Sequence, residues 1–344
     1  MNQVITCILA LLTALNLSGC AAVQPPVAQQ VSGTMEVHFI DVGQADSELI
    51  QCGDKAMLID GGNVADSSLV VSYLSAQKID HLDYVVCTHA HEDHVGGLSG
   101  PLNKFKVDHV LAPVTNYDSD AFRNFAKYTA AQGLDITVPS VGDNFSLGDA
   151  SVEVMGPQKL YDETNNTSIV LKVTYGETSF LFPGDAERES EQDMLDAGCD
   201  LNATVLKVGH HGSDTSTTYP FLRAVAPSYA VISVGADNSY GHPAESTLSR
   251  LRDAEVTVYR TDLQGNIVAV SNGKQISFTT QKEKDVQTNP TESKTEITYI
   301  GNINSHVFHR DTCDALPAEK NQVWFESREA AIAAGYKACT RCKP

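Results

Sequence analysis

Between residues 89 and 94 the chain reads His89-Ala90-His91-Glu92-Asp93-His94, three imidazoles and two carboxylates in six positions. Neutral imidazole nitrogens and carboxylate oxygens are the donors that Zn²⁺, Mn²⁺ or Fe takes, and a second carboxylate can bridge two ions. A solitary histidine is more often a packing or surface residue. Three of them directly after the apolar run Tyr84-Val85-Val86-Cys87 are not explained that way. Residues two apart point to different sides of a helix, so the spacing suits a loop that enters a helix at Val95-Gly96-Gly97. Further donors stand at Asp185, in Phe182-Pro183-Gly184-Asp185, and in Gly209-His210-His211-Gly212-Ser213. A metal-bound water loses a proton near neutral pH and becomes a hydroxide nucleophile, so such a set hydrolyses without a serine or cysteine. Gly-x-Ser-x-Gly does not occur, which disfavours serine-hydrolase chemistry.

These groups need strands to carry them. Val37 to Val42 and Ala56 to Asp60 are short apolar runs separated by the turn Cys52-Gly53-Asp54. Ser68 to Gln77 has helical spacing behind Asp66-Ser67, which predicts an N-cap there. Ser168 to Tyr175 and Thr178 to Phe182 flank Gly176-Glu177, a hairpin signal, and Leu206-Lys207-Val208 leads into the paired histidines. Alternating strands and helices with a polar cluster after each strand predict an α/β layered domain with its site at strand ends.

The stretch His89 to His94 resembles the metal signature of the metallo-β-lactamase fold. Six further stretches narrow the resemblance to the soluble domain of the competence protein ComEC: His38 to Ser47, Leu58 to Gly62, Asn166 to Leu171, Phe182 to Asp185, Gly209 to Ser213 and Tyr240 to Pro243. They run from about Met35 to Phe278 in the expected order. The resemblance implies an αββα sandwich and one or two divalent ions, Zn or Mn. In that assignment His89 and His91 bind one metal, Asp93, His94 and His210 bind the other, and Asp185 bridges. Asp60, with Asp41, falls where carboxylates orient ligand imidazoles. His211 and His242, beside Asp93 and Asp185, become candidates for substrate contact or proton transfer. The common pattern of the fold has one more histidine before the bridging aspartate. Here only His109 lies in that interval, inside the apolar run Val107 to Leu111, and the ComEC-like branch has Asn-x-Ser instead, as at Asn166 and Ser168. Ala45 stands where the relatives usually have glycine. The implied substrate is a DNA phosphodiester, since this domain of ComEC is taken to degrade one strand during uptake.

The two ends carry separate signals. Val4 to Leu17 is an apolar run of secretory type ending in Leu17-Ser18-Gly19-Cys20, which looks like the lipobox of bacterial lipoproteins and implies lipid on Cys20. That predicts a leader over 1–19, a tether over 20–33 and an extracytoplasmic, lipid-anchored or secreted protein. No second apolar stretch is long enough to span a bilayer. At the other end His309-x3-Cys313 and Cys339-x2-Cys342, 25 residues apart, form the two pairs of a closed tetrahedral zinc site. Phe308 to Cys313 and Gly335 to Pro344 resemble the zinc-binding module of the Ada DNA-repair protein, with His309 where Ada has its alkyl-accepting cysteine. Ser327 caps a short helix through Ala334, ended by Gly335. Zinc holding a unit too small for its own core is one reading. DNA contact by Arg310, Lys337, Arg341 and Lys343 is a second, and a disulfide between two of the thiols is a third. The expected division is 34–281 for the main domain, 282–298 for a polar linker and 299–344 for the module.

Charge bounds the partners. The 344 residues carry a formal net charge of −19, and because the last 46 hold six basic and five acidic groups, the body stands at −20. Such a body does not hold nucleic acid by a basic surface, since phosphate affinity comes largely from Lys and Arg. Cys52, Cys87 and Cys199 are scattered at no repeating interval and read as buried small hydrophobes. The expected activity is therefore a metal-dependent nuclease or phosphodiesterase. The alternatives are a hydrolase of another ester, lactone or amide, and a catalytically degenerate zinc-stabilised DNA-binding module.

Overall fold

A computed structural model of the chain describes residues 31–282, 286–290, 299–310, 313, 315–325 and 328–342. The leader, Cys20, most of the tether, Ser327 and Lys343 lie outside the described residues. Strands β1 (Met35–Phe39), β2 (Glu48–Cys52), β3 (Lys55–Ile59), β4 (His81–Val86), β5 (Lys106–Leu111) and β6 (Ile136–Thr137) come first. They are followed by β7 (Asn144–Leu147), β8 (Ala150–Gly156), β9 (Val170–Tyr175), β10 (Thr178–Phe182), β11 (Val205–Lys207), β12 (Tyr229–Ile232) and β13 (Thr257–Arg260). The hairpin β14 (Ile267–Ser271) and β15 (Ile276–Thr280) closes the domain. One sheet runs β15-β14-β1-β2-β3-β4-β5-β6 and the other β13-β12-β11-β10-β9-β8-β7.

Strand alternation explains the layering. Met57 and Ile59 of β3 meet Leu171, Val173 and Tyr175 of β9 in one apolar core between the sheets. Ala56 and Leu58 of β3 point the opposite way, into a second core with α1 (Ser67–Ala76), α3 (Ser99–Lys104) and α4 (Asp120–Ala131) through Val70, Leu102 and Phe125. Leu181 and Leu206 join a third with α5 (Arg188–Asp196), α6 (Tyr219–Val225) and α7 (Glu245–Asp253) through Met194, Phe221 and Leu251. Three apolar interfaces separate four layers, the αββα sandwich.

Several local expectations change. The helix of the histidine motif, α2 (Glu92–Val95), starts inside the motif rather than at Val95. His91 is extended, and its carbonyl accepts from the N–H groups of His94 and Val95 at 3.2 and 3.0 Å. Asp66 does not cap α1 with its side chain; its carboxylate accepts from the Asn63 N–H at 2.8 Å and closes the preceding turn. The polar stretch after β15 is not all free linker. Thr288 Oγ1 donates to the Val258 carbonyl of β13, and Arg252 donates to Asn289 Oδ1 and the Pro290 carbonyl at 2.7 and 2.9 Å. Residues 286–290 are thus a strap on the edge strand of the second sheet, where backbone acceptors need partners.

The C-terminal unit is a four-stranded sheet of β16 (Tyr299–Asn302), β17 (Val307–Arg310), β18 (Gln322–Phe325) and β19 (Lys337–Ala338), with α9 (Arg328–Ala333), numbered after the short α8 (Thr261–Gln264). Gly335 follows that last helix with φ +83°, a left-handed stop. No helix among the described residues is long and apolar enough to cross a membrane.

Candidate metal centre

Ends of strands from both sheets meet at one rim. The loop after β1 brings Asp46, β3 ends beside Asp60, β4 leads to His89–His94, β10 to Asp185 and β11 to His210 and His211. Main-chain bonds lock these loops together: Gly61 N–H donates to the His94 carbonyl at 2.8 Å and Asp46 N–H to the Asp93 carbonyl at 3.1 Å. The approach is so close that a Cβ at Gly97 would run into the Gly61 carbonyl, which is why the helix of the motif continues through two glycines.

The ligand atoms of Asp93, His94, Asp185 and His211 gather within 4.8 Å of one another. Asp185 Oδ2 lies 3.3 Å from His94 Nε2 and 3.6 Å from His211 Nε2, and Asp93 Oδ2 lies 3.3 Å from His211 Nε2. His89 Nε2 and His210 Nε2 approach the same Asp185 oxygen at 4.0 and 3.7 Å, and His89 Nε2 is 3.1 Å from His91 Nδ1. The histidine inside the compact group is therefore His211, where the sequence assignment has His210. Both residues are left-handed, with φ 51°, a conformation costing roughly 1–2 kcal/mol each outside glycine. That turn directs two consecutive imidazoles toward Asp185 instead of to opposite sides.

Each of three imidazoles has an acceptor on its far nitrogen and a carboxylate close by. Asp60 Oδ2 accepts from His94 Nδ1 at 2.8 Å and is itself held by the Thr88 hydroxyl at 2.6 Å, while the Thr88 N–H donates to Asp60 Oδ1 at 2.8 Å. His211 Nδ1 bonds to the Ser233 carbonyl at 3.1 Å with Asp46 Oδ1 also 3.1 Å away, and His210 Nδ1 bonds to the Thr215 hydroxyl at 3.2 Å with Glu187 Oε1 also 3.2 Å away. An acceptor on the far nitrogen, carboxylate or carbonyl, fixes the tautomer and turns the near nitrogen toward the metal position. Ser168 Oγ accepts from the Asp185 N–H at 3.1 Å, and Asn166 Oδ1 accepts from the Glu187 N–H at 3.0 Å. The Asn-x-Ser pair thus positions the Asp185 loop through its backbone. Asp41 does not join the site; its carboxylate accepts from Gly43 N–H and Lys282 Nζ, both at 3.4 Å. His109 stands on β5, exposed, its ring stacked on Tyr84 with centroids 4.9 Å apart.

Electrostatics mark the cluster as a cation site. Burial alone would lower the pKa of His94 and His211, but Asp185 together with Asp60 and Asp93 lifts His94 well above the usual histidine range. Asp185 and Asp46 lift His211 to about 10 against the same burial penalty. Burial pushes Asp46 up, yet Lys207 and His211 outweigh it and hold it at about 2. Lys207 is buried, with its Nζ 2.7 Å from Asp46 Oδ2. Burial next to Asp46 raises Glu48 well above the carboxylate range. The decisive observation is that buried His94 Nε2, His211 Nε2 and Asp185 Oδ1 have no hydrogen-bond partner among the described residues. Buried polar atoms are rarely left so, and the two nitrogens converge on the Asp185 carboxylate as ligands of one divalent ion would.

A cavity of about 360 Å³ opens over these groups, with Gln44, Asn165, Tyr240 and His242 on its walls. Asp46, Lys207 and Glu187 escape the sequence reading because they act through neighbours. One signal was present: a lysine in the buried run Leu206-Lys207-Val208 demands a carboxylate partner.

At the other end the ligand atoms of His309, Cys313, Cys339 and Cys342 also lie within 4.8 Å of one another, and His309 Nδ1 is 3.4 Å from Cys313 Sγ. Among the described residues none of the three thiols is tied in a disulfide. This is the donor set of a structural zinc site. Lys337 and Arg341 are exposed, while the side chain of Arg310 lies outside the described ones.

Residues 40–236 match the metallo-beta-lactamase superfamily, and residues 284–344 match the metal binding domain of Ada. ComE operon protein 3 of Bacillus subtilis is 32% identical over 256 residues, 69% of this chain and 33% of that protein. Competence protein ComA of Neisseria gonorrhoeae is 30% identical over 251 residues, 72% of this chain and 34% of that protein. The chain thus spans about a third of the length of these relatives. Among solved structures, the metallo-beta-lactamase fold protein YhfI from Bacillus subtilis aligns with a TM-score of 0.49 and 16% identity, covering 70% of this chain and 100% of that one. The chain belongs to the metallo-beta-lactamase superfamily of metal-dependent hydrolases, in its ComEC-like branch, and carries an Ada-like zinc-binding domain at its C-terminal end.

Proposed function

We propose that this protein is an extracytoplasmic phosphodiesterase that cleaves DNA, anchored through lipid on Cys20. The observation that carries the hydrolytic part is the convergence of unpartnered His94 Nε2 and His211 Nε2 on the Asp185 carboxylate, beside an open cavity. Asp93, His94, Asp185 and His211 would hold one divalent ion, Zn or Mn. His89 and His91, with His210 close to the same Asp185 oxygen, supply donors for a second. An ion there supplies Lewis acidity and water activation. Asp60 and the Ser233 carbonyl keep the two imidazoles aimed, Asp46 adds negative charge beside His211, and Lys207 keeps Asp46 ionised. His242, on the cavity wall with its Nδ1 3.4 Å from Gln44 Nε2, is placed to meet the substrate.

The choice of DNA is supported by the similarity to ComE operon protein 3 and Competence protein ComA, and by a third relative named Recombination protein 2, from Haemophilus influenzae. The acidic body opposes a polyanion in general. Two divalent ions would concentrate four positive charges at one point, and a local cationic site can sit in an acidic exterior.

The test incubates the mature, metal-loaded protein with single- and double-stranded DNA, RNA and bis-p-nitrophenyl phosphate, beside lactone and β-lactam substrates. DNA and the phosphodiester should be cleaved. Turnover of only the lactone or β-lactam would move the activity to another ester or amide, and no turnover with Mn²⁺ or Zn²⁺ would favour a binding role. Mass spectrometry of the N-terminus checks the anchor; an unlipidated wild type would remove it.

A further inference from the structure

Among the described residues no Lys or Arg lines the cavity over the metal cluster. A nucleic-acid substrate, its scissile phosphate met by the ions, therefore finds no cationic side chains there to clamp the flanking backbone, and some other contact has to hold that part. The rim offers one. Tyr240 keeps 72% of its surface in solvent, an unusual exposure for a tyrosine on a loop that is otherwise tightly built. Asn238 fixes that loop with four hydrogen bonds. Its Oδ1 accepts from the N–H groups of Tyr240 and His242 at 3.1 and 3.0 Å, and its Nδ2 donates to the carbonyls of Gly235 and His242 at 3.0 and 2.6 Å. Gly241, with φ +72°, supplies the left-handed step between the two rings.

The ring is aligned with the site. Tyr240 stacks on His242 with centroids 5.7 Å apart and planes at 25°, and His242 meets His210 edge-on, also at 5.7 Å. His210 in turn stands 3.7 Å from Asp185. Three rings thus lead from solvent to the bridging carboxylate. An exposed aromatic face held rigidly above a polar cavity is what an unpaired nucleobase stacks on, since every base presents a π-face.

We infer that Tyr240 is a stacking platform for a base neighbouring the scissile phosphate, which makes single-stranded nucleic acid the preferred substrate. The inference rests on the phosphodiesterase reading. In a duplex the bases are stacked on one another and cannot reach the ring without being unstacked. With base stacking in place of cationic clamping, affinity depends only weakly on salt, whereas each phosphate held by Lys or Arg on a single strand steepens the log–log slope by about 0.7.

The experiment compares wild type, Tyr240→Ala and Tyr240→Phe in the full-length, metal-loaded protein. Substrates are a single-stranded oligodeoxynucleotide, its duplex, and the same strand made abasic throughout. Anisotropy of the labelled strands gives Kd, with or without turnover. Tyr240→Ala should raise KM and Kd for the intact strand about 5- to 150-fold with kcat nearly unchanged. It should leave the abasic strand unaffected and erase the preference over duplex, and Tyr240→Phe should restore wild-type values. Unchanged KM and Kd in Tyr240→Ala, with the intact strand still cleaved, would overturn the platform and leave the phosphodiesterase reading standing. An equal loss on intact and abasic strands would also overturn it, because the ring would then be supporting the loop. If the wild type cleaves no strand, the phosphodiesterase reading fails, and the anisotropy comparison alone still decides whether Tyr240 binds bases.

Discussion

Replacing Lys207 with methionine keeps an unbranched side chain one atom shorter and removes its charge. In the wild type Nζ lies 2.7 Å from Asp46 Oδ2 and donates to the Val208 carbonyl at 3.0 Å, inside a buried pair. Stranding one member of a buried pair costs about 3–5 kcal/mol. Protonation sets a ceiling. A carboxyl of ordinary pKa, about 3.9, takes up a proton at pH 7 for about 4 kcal/mol, at 1.36 kcal/mol per unit, and for about 1.5 kcal/mol at pH 5. His211 Nδ1 remains 3.1 Å from Asp46 and keeps the loss below that ceiling. The variant should therefore lose about 3 kcal/mol at pH 7, or about 6–12 °C in Tm for a domain of this size. The loss should shrink toward pH 5, because the stranded carboxyl then binds more protons folded than unfolded and stability falls as pH rises. In the wild type Asp46 is held at about 2, so its contribution is complete across that window and is lost only as pH falls from about 4 toward 2. Asp46→Asn/Lys207→Met, with neither charge, should recover most of the loss. The assay is equilibrium unfolding of both variants in chelator at pH 5, 6 and 7. Equal destabilisation at pH 5 and pH 7, or a double variant as unstable as the single one, would refute the reasoning.

Other expectations are simpler to check. Asp60→Ala should weaken divalent-metal binding about 10- to 100-fold, measured by competition with a chelating dye, because His94 loses the acceptor that orients it. Cys339→Ser should lower the zinc content by one ion per chain and leave the unfolding transition of the main domain in place, read by elemental analysis and calorimetry. Asp83 resists the upward push of burial because Lys55 Nζ and the Ala56 N–H, both at 2.9 Å, hold its carboxylate below the ordinary value. Its contribution is present above about pH 4 and lost as pH falls through the depressed pKa, so Asp83→Asn should destabilise at pH 7 and converge on wild type below that range, as denaturant titrations at several pH values would show.

The layers and the metal motif were legible because their signals are contiguous. Six positions hold His89 to His94, and the alternation of β3 assigns Met57 and Leu58 to opposite cores without knowledge of any partner. What stayed hidden depends on pairing at long range. Asp41 and Asp46 belong to one loop, and only its path around Gly43 decides that Asp46 turns inward. Asp46 and Lys207 are 161 positions apart. The assignment of His210 rather than His211 as a ligand rests on the resemblance alone, and two successive left-handed residues place both imidazoles beside Asp185.

The strap at 286–290 bears on where this polypeptide can be divided. The Ada-type match begins at 284, yet Thr288 and Asn289 bond to Val258 and Leu248 of the larger domain, and Arg260 Nη1 donates to the Thr288 carbonyl at 3.3 Å. In folding terms these residues are the selvedge of that unit. A fragment cut at 283 would leave the Val258 carbonyl of β13 without its Thr288 partner and expose that edge strand to pairing with another chain. A fragment ending after Pro290 keeps that margin hemmed.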